Sequence, residues 1–290
     1  MIDVIIDTLL DTLKLLPFLY LTYLLMEFLE HRSGGAAERC LTRSGQVGPF
    51  LGSALGILPQ CGFSAAATGL YTGRIITTGT LIAVFLSTSD EMLPILISEG
   101  APVAFILKIL ATKFTVGVFA GFVIDIITKL LNKNKSVRYE PQIEELCERE
   151  KCHCGNNFAL SALTHTLHIT IFVLICSFAL NTAIHFIGED TISSIVLTRP
   201  FLANIISAIV GLIPNCASSV ILTELYLEGI ISVGSMLSGL LVNAGIALAL
   251  LFRNNRPVQD SFRIVGILLL IGICVGTLID VTPISNLLKI

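Results

Sequence analysis

Gly56-Ile57-Leu58-Pro59-Gln60-Cys61 is answered later in the chain by Gly211-Leu212-Ile213-Pro214-Asn215-Cys216, at the constant offset of 155 that separates Cys61 from Cys216. The matching continues at that offset. Ser64, Thr68, Leu70 and Tyr71 meet Ser219, Thr223, Leu225 and Tyr226, and Gly79 meets Gly234. Pro102-Val103 meets Pro257-Val258, Lys108 meets Arg263, and Gly117, Gly121 and Asp125 meet Gly272, Gly276 and Asp280. Shared apolar composition arises easily by chance. A Pro, a Cys, several Gly and an Asp in one ungapped register mark an internal duplication. Upstream the repeat is fainter, with Asp11-Thr12-Leu13-Lys14 against His165-Thr166-Leu167-His168 and His31 against His185.

The 290 residues are 54% hydrophobic and 13% charged, with a mean hydropathy of +0.86. An ordinary soluble domain carries about 25% charged residues. Apolar stretches of about 20 residues recur along the whole chain, which leaves no room for a large soluble domain and predicts a polytopic membrane protein. No period-2 alternation of a barrel is present, so the fold class expected is all-α. A net charge of −3 argues against nucleic acid as a partner. Met1 to Lys14 is acidic and has neither a basic n-region nor a small-residue cleavage site, so no cleaved signal peptide is expected. Eight cysteines, several inside apolar stretches and three in one polar loop, do not resemble a secreted disulfide framework.

In chain order, Leu15 to Phe28 reads as a first span, followed by a basic loop with Arg39 and Arg43. Val47 to Gly73 is apolar but interrupted by Gly56 and by Pro59, whose ring removes an amide donor and disfavours helix at the preceding residue. Each arm of about 13 residues reaches roughly 20 Å, too short for a hydrocarbon core of about 30 Å. A re-entrant hairpin with Pro59-Gln60-Cys61 at its tip is therefore expected. Ile75 to Ile97 and Pro102 to Thr128 follow as full spans. The hydrophilic segment from Asn132 to Asn157 divides the chain into a first transmembrane repeat (1–131), a linker (132–157) and a second repeat (158–290). The second repeat has a span from Leu163 to Ile187, a broken segment from Phe201 to Glu228, and spans from Ile230 to Phe252 and Phe262 to Leu288.

Three spans and a hairpin per half require the two halves to be inverted. The basic residues then fall on one face: Arg32, Arg39, Arg43, Arg74, Lys129, Lys133, Lys135, Arg138, Arg253, Arg256 and Arg263. Glu99, Glu189, Asp190 and Glu228 fall on the other. The positive-inside rule makes the basic face cytoplasmic and puts both termini outside.

Broken helices at the midplane of an inverted repeat build ion and substrate sites, because unpaired backbone groups there face a cavity instead of lipid. Cys61 and Cys216 add two polarisable thiols at symmetric tips, with Gln60 and Asn215 beside them and Ser64 and Ser219 three residues on. Cysteine is also a small apolar residue that suits a tight tip. Pro59, Pro214, Gly56 and Gly211 are the expected hinges. A second cluster, Ser87-Thr88-Ser89-Asp90-Glu91, places two carboxylates well inside an apolar run, where ionisable groups are costly and signal function. In the repeat, Asn243 answers Thr88. Carboxylate and amide oxygens suit manganese-like ions, and thiols suit softer metals or arsenic. Glu224, in place of Gly69, fits a gate, a proton carrier or a residue at the wet mouth. Asp125 and Asp280 lie near helix ends, where pairing with a base such as Lys129 is the expected role. Asp11, His165 and His168 sit at helix starts, where interface placement is expected. Cys147, Cys152, His153 and Cys154 in the linker match no standard structural zinc spacing and read as a cytoplasmic metal-capture or sensing patch.

The motifs LPQCGFS (Leu58 to Ser64), STSDE (Ser87 to Glu91) and IPNCASS (Ile213 to Ser219), with the Cys-His-Cys loop between the halves, resemble the ten-helix heavy-metal exporters. Members of that family also carry arsenic-efflux and manganese-transporter names. Its count of ten corresponds to three spans plus two hairpin arms in each half. The resemblance implies export of a metal or metalloid across the cytoplasmic membrane of a prokaryote, with the cargo ion and membrane lipids as partners and no tightly bound cofactor. No G-x-x-x-x-G-K-[ST] phosphate loop is present, so export is expected to run on an ion gradient or on membrane potential, with Asp90 or Glu91 as a proton carrier. A thiol-disulfide electron conduit through Cys61 and Cys216 is the competing reading, though it has no use for buried Asp90 and Glu91. A passive channel differs from a transporter only in rate and gating.

Overall fold

The computed structural model describes residues 47–58, 61–89, 92–131 and 200–282, with scattered positions between 13 and 24 and between 163 and 182. The spans expected at Leu15 to Phe28 and Leu163 to Ile187, and the 132–157 linker, fall outside these stretches. The described chain is helical throughout. In the first half it forms α1 (Val47–Gly56), α2 (Cys61–Thr72), α3 (Thr78–Ser87), α4 (Met92–Ser98) and α5 (Val103–Leu131). In the second it forms α6 (Pro200–Gly211), α7 (Ala217–Leu227), α8 (Val233–Val242), α9 (Ala247–Asn254) and α10 (Val258–Val281).

The offset of 155 carries over from residue identity to helix boundaries. Thr72 and Leu227 end α2 and α7. Thr78 to Ser87 and Val233 to Val242 bound α3 and α8, and Met92 and Ala247 open α4 and α9. Local chemistry explains these limits. Thr77 Oγ1 accepts the Thr80 amide and Ser232 Oγ accepts the Ser235 amide, so a hydroxyl caps the start of α3 and of α8. Pro94 lies in the first turn of α4 and Pro200 opens α6, positions where a missing N–H costs no helical hydrogen bond.

Ile75 to Ile97 and Ile230 to Phe252 are not the uninterrupted spans that hydropathy suggests. Each is two helices, with α3 ending at Ser87 before α4 begins at Met92, and α8 ending at Val242 before α9 begins at Ala247. Side chains compete with the backbone at both interruptions. Ser87 Oγ donates to Ala83 O and Thr88 Oγ1 donates to Val84 O, both at 2.8 Å. Asn243 Oδ1 accepts the Gly245 amide at 2.9 Å, and Gly245 takes φ +55°, which glycine adopts without steric cost.

Four described segments are long and apolar enough to cross a membrane: Thr78–Ser98, Val103–Leu131, Val233–Asn254 and Val258–Val281. They divide into two layers. The most apolar stretches of the two broken spans are 75% and 89% buried, against 22% and 28% for α5 and α10. The outer helices turn side chains such as Phe119, Leu270 and Leu278 outward, as lipid-facing helices of a multi-pass membrane protein do.

α1 and α2 are hairpin arms laid along α3. Added β-carbons on Gly48, Gly52 and Gly56 would meet Thr80, Val84 and Ser87 in turn, so α1 runs beside α3 in the same sense. α2 returns the opposite way, from Ser64 at Thr88 to Tyr71 at Thr78. Neither arm, at 10 and 12 residues, reaches more than about 18 Å. α6 lies along α8 as α1 lies along α3, with Asn204 at Ser235 and Gly211 at Gly239.

The halves exchange their second arms. Thr68 of α2 meets Ala247 O at the start of α9, and Arg74 beyond α2 donates to Arg256 O beyond α9, at 3.0 Å. α9 therefore runs with α2 and against α3. Ala67 and Tyr71 share an apolar core with Ala247, Leu251 and Ile264. At positions 155 residues away, Leu222 of α7 shares a core with Met92 and Leu96 of α4 and Ile109 of α5, and Tyr226 packs against it. Tyr71 donates to Asp260 at 2.6 Å, and its equivalent Tyr226 stacks on Phe105, the equivalent of Asp260, with ring centroids 5.5 Å apart.

Candidate functional site

Hydroxyl, amide and carbonyl groups converge where the two spans are interrupted. Ser64, three residues into α2, shares a 2.9 Å hydrogen bond with Thr88, the residue that caps the end of α3. One turn on, Thr68 Oγ1 donates to Ser64 O at 2.9 Å and reaches Ala247 O, where α9 starts, at 3.5 Å. Ser64, Thr68, Ser87, Thr88, Ser89 and Asn243 are all buried. In an apolar surrounding each such group needs a partner, and most of their hydroxyls turn onto helix carbonyls nearby.

Lys113, in the middle of α5, completes the junction. It is 1% exposed, and its ammonium donates to Thr88 O at the end of α3 and, at 2.9 Å, to Leu240 O in the last turn of α8. One side chain thus ties together the interrupted ends of both broken spans. A cation at a helix C-terminus meets the negative end of the helix dipole. Sequence reading passes over Lys113 because it searches for paired positions, and the repeat has Leu268 there. A lysine ten residues into the apolar run of Val103 to Thr128, with no charge at its repeat partner Leu268, is the signal that could have found it.

The expected site residues are placed as follows. Ser64 and Ser87 are buried at the junction, as is Asn243, which holds the turn after α8. Asn215 is 8% exposed and lies with Pro214 and Cys216 in the bend between α6 and α7, where Ser218 Oγ donates to Asn215 O and Ser219 Oγ to Cys216 O. Cys216 carries a half-buried thiol. Cys61 opens α2. Gly56 and Gly211 end α1 and α6, and their common feature is closeness: a β-carbon on Gly211 would lie 2.2 Å from Gly239 O, and one on Gly56 2.6 Å from Val84 O. Pro59, Gln60, Asp90, Glu91, Cys147, Cys152, His153 and Cys154 lie outside the described residues, as does Cys61 beyond its backbone. Among the described residues, no three His, Cys, Asp or Glu side chains gather into a metal-holding group.

Asp125 and Asp280 have a role that the sequence reading did not include. Besides the attraction of Lys129 for Asp125, each carboxylate closes the start of a broken span. Asp125 accepts the Gly79 amide at 2.9 Å and the Thr77 hydroxyl at 2.8 Å. Asp280 accepts the Gly234 amide at 3.2 Å, the Ser232 hydroxyl at 2.9 Å and Asn204 Nδ2 at 3.1 Å. A carboxylate at a helix N-terminus satisfies orphan amides and complements the dipole. Glu224 lies exposed on α7.

A family model with the description "Putative, 10TM heavy-metal exporter" matches residues 1–159, 135–253 and 159–288. The family is a transporter class rather than an enzymatic one. A search of curated proteins and a search of solved structures return no significant match.

Proposed function

The chain belongs to the heavy-metal exporter family that it matches over residues 1–288, and from that premise we propose a secondary transporter that exports a metal or metalloid ion across a prokaryotic cytoplasmic membrane by alternating access. Its two halves are inverted relative to one another, and the ten helices of the family are three spans and two hairpin arms in each half. The observation that carries this reading is the reciprocal exchange of arms, α2 on α9 and α7 on α4. Such an exchange supports a two-fold relation between the halves, and α9 running against α3 supports an axis in the membrane plane. Inverted repeats of this kind place cargo at the repeat interface, among interrupted helices.

The cargo site is lined by Cys61, Gln60 and Ser64 from one hairpin and Asn215, Cys216 and Ser219 from the other. Ser87, Asp90, Glu91 and Asn243 come from the two interrupted spans. Thiols serve an arsenical or a soft metal, and the oxygen donors a manganese-like ion. Alternating access rocks one half against the other, with Pro59, Pro214, Gly56 and Gly211 as pivots. The basic loops carrying Arg74 and Arg256 face the cytoplasm.

The deciding experiment compares a deletion strain with its complemented partner in manganese, zinc, cadmium, arsenite and methylated arsenicals, with cell content of each element measured. The complemented strain is expected to grow at higher concentrations and to hold less of at least one of them. Equal content of all of them in both strains would overturn the assignment.

A further inference from the structure

Lys113 is where the chain departs from its own symmetry, and the departure falls on the two interrupted spans. Its ammonium donates to Thr88 O at the C-terminal end of α3 and to Leu240 O in the last turn of α8. The last carbonyls of a helix have no intrahelical partner and carry the negative end of its dipole. Two such ends aimed at one buried point form a cation site. In proteins that transport ions through interrupted helices, half-helix C-termini and unwound carbonyls coordinate monovalent coupling ions.

We infer that Lys113 is the resident cation of a site built from the ends of α3 and α8, and that its removal turns these carbonyls into a site for a free monovalent metal ion. The site holds its charge by covalent attachment, so the protein needs no free sodium or potassium ion to keep the two halves joined at this level. Ser64 extends the arrangement, because its bond to Thr88 links the first hairpin to the same carbonyl-bearing residue. Displacing the ammonium loosens three elements at once: α2 through Thr88, α3 directly, and α8 of the other half. Leu268, the equivalent residue, is a buried apolar side chain, so the matching position of the second half tethers no charge. The inference rests on carbonyl geometry and does not depend on which cargo is exported.

The test uses full-length protein in lipid nanodiscs, with unfolding temperature measured in sodium, potassium or choline chloride at equal ionic strength. Wild type is expected to unfold at the same temperature in all three. Lys113→Ala is expected to unfold earlier in choline and to recover by about 3 to 5 °C in sodium or potassium at ten times the dissociation constant, saturably. Methylammonium, which restores the missing group, should act likewise. A variant that behaves alike in all salts, including one that aggregates in all of them, refutes the inference, because a lysine serving only as a structural strap shows no cation-specific rescue. Wild type showing the same saturable dependence on sodium or potassium refutes it equally.

Discussion

Gly211→Ala separates two roles for the residue that ends α6. A β-carbon there would lie 2.2 Å from Gly239 O, 2.9 Å from Gly239 C and 3.1 Å from Gly239 Cα, where ordinary contact begins at 3.4 Å. All three atoms are backbone, so no side chain can rotate aside, and α6 must move off α8 by about 1 Å; overpacking of this kind costs about 1–3 kcal/mol. At roughly 2–4 °C per kcal/mol, unfolding in nanodiscs should fall by about 3–10 °C. Gly266→Ala on α10 is the control. It has nothing within 4 Å of its added carbon, and a gain of up to about 1 kcal/mol follows from helix propensity. Efflux from everted vesicles provides the second readout, since displacing α6 also displaces the bend holding Asn215 and Cys216. If Gly211→Ala is as stable as wild type, the close-packing account of this glycine is wrong. Slow efflux at unchanged stability would instead make it a hinge.

Three further outcomes follow from the contacts. Asp280→Ala removes the acceptor for Gly234, Ser232 and Asn204 and should lower stability by about 1–3 kcal/mol, with Asp280→Asn milder because one oxygen remains; equal melting of both variants and wild type would show that the cap is idle. Tyr71→Phe deletes the 2.6 Å bond to Asp260 and should loosen the seat of α2 on the start of α10, seen as faster hydrogen exchange in residues 68–74 and 258–264; unchanged exchange there counts against a latch. Cys216→Ser should impair arsenite or cadmium export more than manganese export, and Asp90→Asn the reverse, when ion content is measured in loaded vesicles; equal losses for all ions would remove the division of the site into soft and hard donors.

Much of the architecture is legible because local chemistry writes it into the chain. Pro214 and Gly211 interrupt a helix through their own backbone properties, so the bend between α6 and α7 lies where the sequence places it. The offset of 155 is likewise a property of residue order, and it predicts helix ends that agree across both halves. Membrane residence follows from composition alone, because apolar residues so numerous and charges so few have no other solvent.

The interruptions at Thr88 and Asn243 were beyond such reading. Neither contains proline; Asp90 and Glu91 mark the first as a costly polar site without showing that the helix stops there, and Asn-Ala-Gly barely lowers the hydropathy of the second run. They stand open because partners distant in sequence hold them: Ser64 on Thr88, Thr68 on Ala247, and Lys113 on carbonyls of both halves. Asp125 reads as a helix-end acid beside Lys129, and only folding brings the start of α3 to it from 46 residues away. The sequence by itself determined that this is a duplicated membrane protein with a bent hairpin in each half, since those traits reside in single residues and their spacing. Only the tertiary structure decided which helix ends meet and which charge sits between them, because a carbonyl freed in one half is satisfied by groups the chain delivers from elsewhere.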